Sequence, residues 1–381
     1  MNNFEYCNPT RLVFGKGQIA KLSQLIPADA KVMLTFGGGS VKKNGVYDQV
    51  TKALSQLTFI EFWGIEPNPT VETLRKAVAL GLKEKVNFLL AVGGGSVLDG
   101  TKLIASAIAQ PEKDAWEIVR EGKSSKYIPF ASVMTLPATG SEMNSGAVIS
   151  RTETHEKYAF YSTYPVFSIL DPETTYSLPE HQVACSLSDI FVHVMEQYMT
   201  TPGQSRIMDR WAEGILLTLI EIAPKIKANP TDYDLRCDYV LCATLALNDM
   251  IRMGVTQDWS THMIGHEITA FTGITHGESL ALIHCSLLHV LREQKKGKLL
   301  QYAERVWNIT EGTDDERIDK AIAATRNYFR SIGLRTSLTE AHVGQDVIDA
   351  IVKRFKEIGA KHGEAHNVDA EMARKILEQA K

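Results

Sequence analysis

The strongest constraint on the fold is a change of sequence pattern near residue 178. Before it, short apolar and β-branched runs alternate with helical segments, and after it only long amphipathic segments follow. The first pattern predicts a parallel sheet covered by helices, and the second predicts a helical bundle. We therefore expect an α/β domain at residues 1–178 and an all-α domain at residues 179–381.

Individual elements follow from the same patterns. The apolar runs with the length of buried strands are 32–36, 88–92 and 130–136. The segments with helical spacing of apolar residues include 70–86, 97–109, 206–228, 316–332 and 346–358. Residues 135–178 carry many β-branched and aromatic residues without a helical period, so we expect hairpins and irregular loops there.

Composition excludes several classes of protein. The 41 basic and 45 acidic residues among 381 give a net charge of −4, which does not indicate a nucleic-acid or membrane-surface partner. The amino terminus lacks a basic start followed by an apolar run, and no stretch approaches about 18 uninterrupted apolar residues. The five cysteines are scattered and form no CxxC pair. We expect a cytoplasmic protein with reduced thiols and no membrane partner.

Two glycine loops follow predicted strands. GlyGlyGlySer stands at 37–40 and again at 93–96, and the carboxyl ends of parallel strands are where open α/β sheets bind ligands. Glycine lets backbone N–H groups approach a phosphate, although either loop alone also fits a tight turn. With Asp99, Lys102 and the hydroxyl-rich loop 137–144 added, the pattern favours a dinucleotide.

The first glycine loop also bears on the choice of dinucleotide. No acidic residue ends the preceding strand, and Lys42 and Lys43 follow Ser40. An acidic residue there would bond the ribose 2′-hydroxyl and repel a 2′-phosphate, whereas small residues with serine and lysine nearby accept one. The pattern favours NADP(H) over NAD(H). The alternative is that the two lysines only solvate a helix face.

Histidines and one aspartate recur at helical spacing in the second half. His262 and His266 are four residues apart, as are Asp189 and His193, and His276 follows a predicted helix end. Each pair alone also fits a surface ion pair or a packed histidine. Together, with apolar neighbours, they favour a metal site. Oxygen and imidazole ligands without sulfur suit Fe²⁺, Zn²⁺, Ni²⁺ or Mn²⁺ and do not decide among them.

Several ordered motifs together carry a family resemblance. They are PTRLVFGKG at 9–17, PNP at 67–69, GGGSVLDGTK at 93–102, PATGSE at 137–142, DxxxHxxE at 189–196 and HxxxHxxxxxxxxxHG at 262–277. The chain resembles the iron-containing (group III) alcohol dehydrogenases over essentially its whole length, and especially their NADPH-dependent aldehyde reductase and butanol dehydrogenase branch. The resemblance implies a Rossmann-like dinucleotide domain followed by a helical metal-binding domain, in a dehydroquinate synthase-like architecture.

The resemblance also assigns roles to particular residues. It implies metal ligands at Asp189, His193, His262 and His276, and catalytic candidates at His266, a non-ligand histidine that could relay a proton, and Asp99. The predicted cofactor-binding residues are Gly37, Gly38, Gly39, Ser40, Gly94, Gly95, Ser96, Asp99, Thr135, Thr139, Ser141, Lys157 and Leu178. Gly38 stands where NAD-preferring relatives often carry aspartate.

The function expected from these features is reversible hydride transfer between NADP(H) and a small aldehyde or primary alcohol. One divalent metal, Fe²⁺ or Zn²⁺ with Ni²⁺ or Mn²⁺ as alternatives, would polarise the substrate oxygen. The resemblance further implies a homodimer. Two alternatives remain: a lyase of dehydroquinate synthase type and a non-catalytic nucleotide- or metal-binding protein. The lyase requires several Lys and Arg side chains around the substrate, and the sequence near Asp189 and His262 is poor in them.

Overall fold

Strands and helices alternate in the first part of the computed structural model, which describes residues 1–154 and 156–381. The elements in chain order are β1 (Arg11–Phe14), α1 (Leu22–Leu25), β2 (Val32–Phe36), α2 (Ser40–Lys43), α3 (Val46–Ala53), β3 (Phe59–Phe62), α4 (Val71–Lys83), β4 (Phe88–Gly94), α5 (Gly95–Ile108), α6 (Ala115–Arg120), β5 (Phe130–Leu136), β6 (Gly146–Arg151), β7 (Glu156–Tyr161) and β8 (Phe167–Leu170). Short 3₁₀ turns lie at Gln18–Lys21, Ser141–Met143 and Pro172–Thr175.

The main sheet has the parallel topology that the sequence predicted. Its strand order is β1-β8-β5-β4-β2-β3, and every neighbouring pair is parallel. The strands predicted at 32–36, 88–92 and 130–136 are confirmed as β2, β4 and β5. Because β2 and β4 are neighbours, the two glycine loops that follow them lie at the same edge of the sheet.

The segment 135–178 is only partly as expected. β6 and β7 form an antiparallel hairpin, which confirms the hairpin prediction there. β8, however, is an inner strand of the parallel sheet, between β1 and β5. All four of its residues are buried. A run this short carries no measurable period, so its sequence alone did not separate it from irregular structure.

Helix α4 shows how local sequence fixes an element next to the sheet. The Thr70 side chain caps its first turn by accepting a hydrogen bond from the Thr73 N–H group at 3.4 Å. The predicted apolar spacing then buries Val71, Leu74 and Ala77 in the core between the helix and the sheet. This packing supports α5, which is almost wholly buried and begins at the second glycine loop.

The remainder of the chain is helical, as expected. Its helices are α7 (Glu180–Tyr198), α8 (Arg206–Ala228), α9 (Tyr233–Ala246), α10 (Ser260–Thr272), α11 (His276–Val290), α12 (Lys296–Arg305), α13 (Asp314–Ser331), α14 (Gln345–Glu357) and α15 (Ala370–Gln379). The helices predicted at 206–228, 316–332 and 346–358 correspond to α8, α13 and α14. Among residues 1–154 and 156–381, no helix is both long enough and apolar enough to cross a bilayer.

The chain divides into two compact units. One comprises Cys7–Leu178 and Thr231–Thr244, and the other comprises Met1–Tyr6, Pro179–Pro230 and Leu245–Lys381. They differ from the predicted halves in two short segments. The functional division into a dinucleotide domain at 1–178 and a metal domain at 179–381 stays a prediction.

Side-chain packing explains why part of α9 belongs to the α/β unit. Val240 is buried against Met134 and Leu170 at the ends of two sheet strands. The Tyr239 hydroxyl donates a hydrogen bond to the Pro137 carbonyl at 3.3 Å. These contacts cover the end of the sheet with a segment that lies far away in sequence.

In the helical unit, α7 and α11 touch through their backbones. A Cβ atom on Gly277 would overlap the carbonyl oxygen of Cys185, so this approach requires glycine. The Ser188 hydroxyl donates to the Gly277 carbonyl at 2.8 Å. The contact places Asp189, one turn beyond Cys185, beside His276, which starts α11.

We predict that Gly277→Ala destabilises the protein by on the order of 3 kcal/mol, because the added methyl group must push two packed helices apart. The matched control is Gly214→Ala in α8, where the glycine is exposed and a Cβ meets no atom within 4 Å. That control should stabilise the helix by about 0.5–1 kcal/mol. Denaturant unfolding of both metal-free variants measures the difference. Equal stability of the two variants would show that the α7–α11 contact does not require glycine at position 277.

Candidate metal centre and cofactor loops

Three helices of one unit bring a carboxylate and imidazoles together. The Asp189 Oδ1 atom lies 3.7 Å from Nε2 of each of His193, His262 and His276. One ligand atom each from Asp189, His262 and His276 all lie within 4.8 Å of one another. The His193 ring stacks on the His262 ring with centroids 4.6 Å apart. The four predicted ligands therefore surround one point, although His193 lies outside the tightest group of three.

The chemistry of these atoms fits a bound cation. Asp189, His193 and His262 are 4–5% exposed. Among the residues that the structure describes, Asp189 Oδ1 and His262 Nε2 are buried without a hydrogen-bond partner. Their separation of 3.7 Å is too long for a hydrogen bond between them, and buried polar atoms are rarely left unsatisfied. A divalent metal bound by oxygen and imidazole nitrogen would satisfy both atoms.

The histidines also set the charge of the buried aspartate. Burial raises the pKa of the Asp189 carboxyl, but the positive charge on His193, His262 and His276 outweighs it and holds the pKa well below its usual range. Burial lowers the pKa of His262, whereas Asp189 and Glu196 raise it, for a net value of about 9. A metal that binds here therefore replaces a proton on His262.

Glu196 is a residue of this site to which the sequence interpretation gave no role. Its buried Oε1 accepts the His262 backbone N–H at 3.0 Å and lies 3.1 Å from His262 Nδ1. Such a carboxylate fixes the tautomer and the orientation of an imidazole, which would leave Nε2 available to bind a metal. The signal was present, because Glu196 follows Asp189 and His193 at helical spacing on the same face of α7.

The structure separates the two histidines of α10. The His266 ring centroid lies 4.8 Å from that of His276 and 6.2 Å from that of His262. His266 is partly exposed and is not in the three-ligand group. Helix α10 is followed by Gly273, whose φ of 73° reverses the chain and lets His276 face back toward His262. The proton-relay role of His266 stays a prediction.

In the α/β unit, packing explains part of the glycine requirement. A Cβ on Gly93 would lie 2.6 Å from a Val97 methyl group, and a Cβ on Gly95 would overlap the Thr139 side chain. A Cβ on Gly94 would lie 3.0 Å from the Leu136 side chain. Glycine is therefore needed for the side-chain packing around this loop, and phosphate binding at Gly94, Gly95 and Ser96 stays a separate prediction.

The first glycine loop has more open space. Gly39 has a φ of 97°, which strongly favours glycine, but a Cβ on Gly38 would meet nothing within 4 Å. Ser40 begins α2, while Gly37 closely approaches the Ile65 carbonyl. The Lys42 ammonium lies 4.1 Å from the centre of the Trp63 ring, a cation–π contact beside this loop.

Asp99 and a buried lysine hold the third loop. Asp99 Oδ1 accepts from the Ser141 hydroxyl at 2.7 Å, and Oδ2 accepts from the Val148 N–H at 2.9 Å. The fully buried Lys102 ammonium donates to Ser141 Oγ at 2.7 Å and to Asn144 Oδ1 at 3.0 Å. Burial raises the pKa of the Asp99 carboxyl, against the charge of Lys102. These contacts give Asp99 a loop-holding role, and its predicted catalytic role stays a prediction.

Asn68, in the PNP motif, links two predicted cofactor-binding residues. Its backbone N–H donates to Ser96 Oγ at 3.4 Å, and its Oδ1 accepts from the Lys157 ammonium at 2.9 Å. Its φ of 56° is unusual for a residue other than glycine. Of the remaining predicted residues, Thr135 is buried near the end of β5, and Leu178 donates its N–H to the Thr175 carbonyl.

Comparison with known proteins identifies the family. The model of iron-containing alcohol dehydrogenases matches residues 9–172, and that of the carboxyl-terminal part of the same family matches residues 183–380. The chain belongs to the iron-containing alcohol dehydrogenase family.

Individual relatives are similar over their full lengths. The chain is 54% identical to the NADPH-dependent aldehyde reductase YqhD of Escherichia coli, with 100% of both chains covered. The crystal structure of YqhD matches with a TM-score of 0.98 over 100% of this chain and 99% of that chain. The NADP-dependent alcohol dehydrogenase 3 of Entamoeba histolytica is 39% identical, covering 99% of this chain and 98% of its own. The NADH-dependent butanol dehydrogenase A of Clostridium acetobutylicum is 34% identical, with 100% of both chains covered.

The two histidines His276 and His266 provide a direct test of the metal site. His276→Ala removes a nitrogen from the three-ligand group and should abolish stoichiometric metal binding. His266→Ala changes a neighbouring imidazole outside that group and should leave the metal content intact. Elemental analysis of both purified variants measures this. Equal loss of metal from both would mean that His266 is itself a ligand.

Proposed function

We propose that this chain is a metal-dependent, NADP(H)-dependent oxidoreductase that interconverts aldehydes and primary alcohols. The observation that carries the proposal is the group of Asp189, His262 and His276, in which two buried ligand atoms lack a hydrogen-bond partner among the described residues. Membership of a family of alcohol dehydrogenases agrees with this chemistry.

The residues around this point divide into ligands and supports. Asp189, His193, His262 and His276 would hold one divalent metal, which supplies Lewis acidity toward a carbonyl or alcohol oxygen. Glu196 keeps the His262 ring in the orientation that exposes Nε2. In the reducing direction, hydride from a nicotinamide would pass to the carbonyl carbon and a proton to its oxygen, so the site needs a proton donor and no strong protein base.

Two side chains border the ligands without belonging to the tightest group. The Trp259 ring centroid lies 5.1 Å from that of His262 and 6.1 Å from that of His193, so the indole shields the buried imidazoles. His266 is partly exposed beside His276, and its imidazole can carry a proton between the substrate oxygen and solvent.

The α/β unit supports the choice of NADP(H). The first glycine loop has no acidic side chain to repel a 2′-phosphate, and the space around Gly38 is open. The relative that is 54% identical is NADPH-dependent by name, while a relative that is 34% identical is named as NADH-dependent. A small aldehyde or alcohol as substrate, a homodimeric state and a cytoplasmic location complete the proposal, on the strength of the family resemblance.

The metal-loaded protein should oxidise NADPH in the presence of short-chain aldehydes, and removal of the metal should abolish this activity. The decrease in NADPH absorbance measures the rate, and restoring the metal should restore it. A fully metal-loaded protein that is inert toward all simple aldehydes and alcohols would contradict the proposal. It would favour the lyase or the non-catalytic alternative.

Gly38→Asp should shift the preference from NADPH toward NADH, because a carboxylate there repels a 2′-phosphate and can accept from a 2′-hydroxyl. We expect the ratio of kcat/KM for the two cofactors to change by at least about tenfold, or about 1.4 kcal/mol. The control is Gly38→Asn, which has the same shape without the charge. An unchanged ratio in Gly38→Asp would count against placing the 2′-phosphate at this loop.

A further inference from the structure

A strained turn precedes the helix that carries His262. Trp259 has a φ of 67°, an unusual conformation for a residue other than glycine, and it lies immediately before α10. The adjacent Asp258 stabilises the helix start, since its Oδ1 accepts the Ser260 N–H at 3.0 Å. A strained backbone conformation persists only where surrounding contacts hold it in place. The contacts around Trp259 therefore show what stabilises this turn.

Those contacts converge on one buried ammonium group. Lys295, whose side chain is 1% exposed, donates to Asp258 Oδ2 at 2.8 Å and to the Met199 carbonyl at 2.8 Å. It also donates to Glu364 Oε1 at 3.0 Å. A lysine ammonium has three N–H donors, and these three acceptors use all of them. Met199 immediately follows α7, which ends at Tyr198.

Backbone hydrogen bonds connect the same segments that Lys295 joins. The Asp258 N–H donates to the Glu196 carbonyl at 2.8 Å, and the Glu364 N–H donates to Asp258 Oδ2 at 3.2 Å. Gly363 approaches so closely that a Cβ there would lie 2.7 Å from Ser260 Oγ. The turn at Trp259 is therefore enclosed by α7 on one side and by the 363–364 segment on the other.

We propose that Lys295 is a positioning residue for the metal centre, because its ammonium group joins the carboxyl end of α7 to the amino end of α10. These two helices carry Asp189, His193 and His262, so the buried charge fixes their relative placement without touching a ligand. The inference rests on the metal site of the proposed function and adds a residue that the sequence motifs do not include.

The chain offers a matched control for this role. Lys298 is similarly buried, with its side chain 2% exposed, and is paired with a buried aspartate, Asp209 of α8. Its ammonium lies 4.4 Å from the centre of the Tyr198 ring and bonds neither Asp258 nor the Met199 carbonyl. Replacing either lysine by methionine removes a buried charge of the same kind, but only Lys295→Met releases the turn at Trp259.

The experiment compares Zn²⁺ affinity in full-length, metal-stripped wild type, Lys295→Met and Lys298→Met by titration against a competing chelator. Lys295→Met should weaken Zn²⁺ binding by about 10- to 100-fold, as expected for an outer-shell support of metal ligands. Lys298→Met should bind Zn²⁺ as wild type does. Thermal unfolding of the metal-free proteins is measured alongside the titration. The visible spectrum of bound Co²⁺ should differ from that of wild type only in Lys295→Met.

Asp258→Asn provides a second route, because it keeps an oxygen for the Ser260 N–H but loses the charge that pairs with Lys295. It carries the test if Lys295→Met does not fold, and it should show the same loss of Zn²⁺ affinity. Wild-type affinity in a folded Lys295→Met or Asp258→Asn variant would overturn the positioning role while leaving the metal site intact. If wild type itself binds no Zn²⁺ and no Co²⁺, the metal site and this role both fail.

Discussion

A buried carboxylate surrounded by imidazoles is the interaction on which the helical unit depends. An isolated charge at the position of Asp189 would be expensive to bury, and such groups persist only when opposite charges or metals compensate them. Here the compensation comes from three histidines on three helices, so the helices must meet at one point. The glycine contact between α7 and α11, the chain reversal at Gly273 and the strained turn at Trp259 all serve this convergence.

Both units use a fully buried lysine to organise loops near their predicted sites. Lys102 donates hydrogen bonds within the loop that follows β5, and Lys295 donates hydrogen bonds to the ends of α7 and α10. In each case an aspartate lies in the same network and has its second oxygen bound to a backbone N–H. A point charge with three donors suits this task, since it can bond carbonyl, hydroxyl and carboxylate groups that come from different segments.

The sequence predicted most of the fold and the identities of the clustered residues, for identifiable physical reasons. Long apolar runs and long amphipathic segments carry strong periodic signals, so β2, β4, β5 and α8 were placed closely. Helical spacing put Asp189 and His193 on one face. The features that the sequence did not predict depend on tertiary structure. β8 is too short to show a period, and the roles of Glu196 and Lys295 depend on contacts between distant segments. Helical spacing also suggested that His262 and His266 form a pair at the metal site. In the structure, the three-ligand group contains His276 and not His266.

The membership of α9 in the α/β unit bears on how the polypeptide acquires its structure. The chain enters that unit at Cys7, leaves it at Leu178, and returns for Thr231–Thr244. Val240 covers Met134 and Leu170, so the end of the sheet keeps exposed apolar side chains until this late segment arrives. During synthesis from the amino terminus, the α/β core therefore cannot be completed when its last strand emerges. Completion of this core therefore waits until α7 and α8, which belong to the other unit, have been translated.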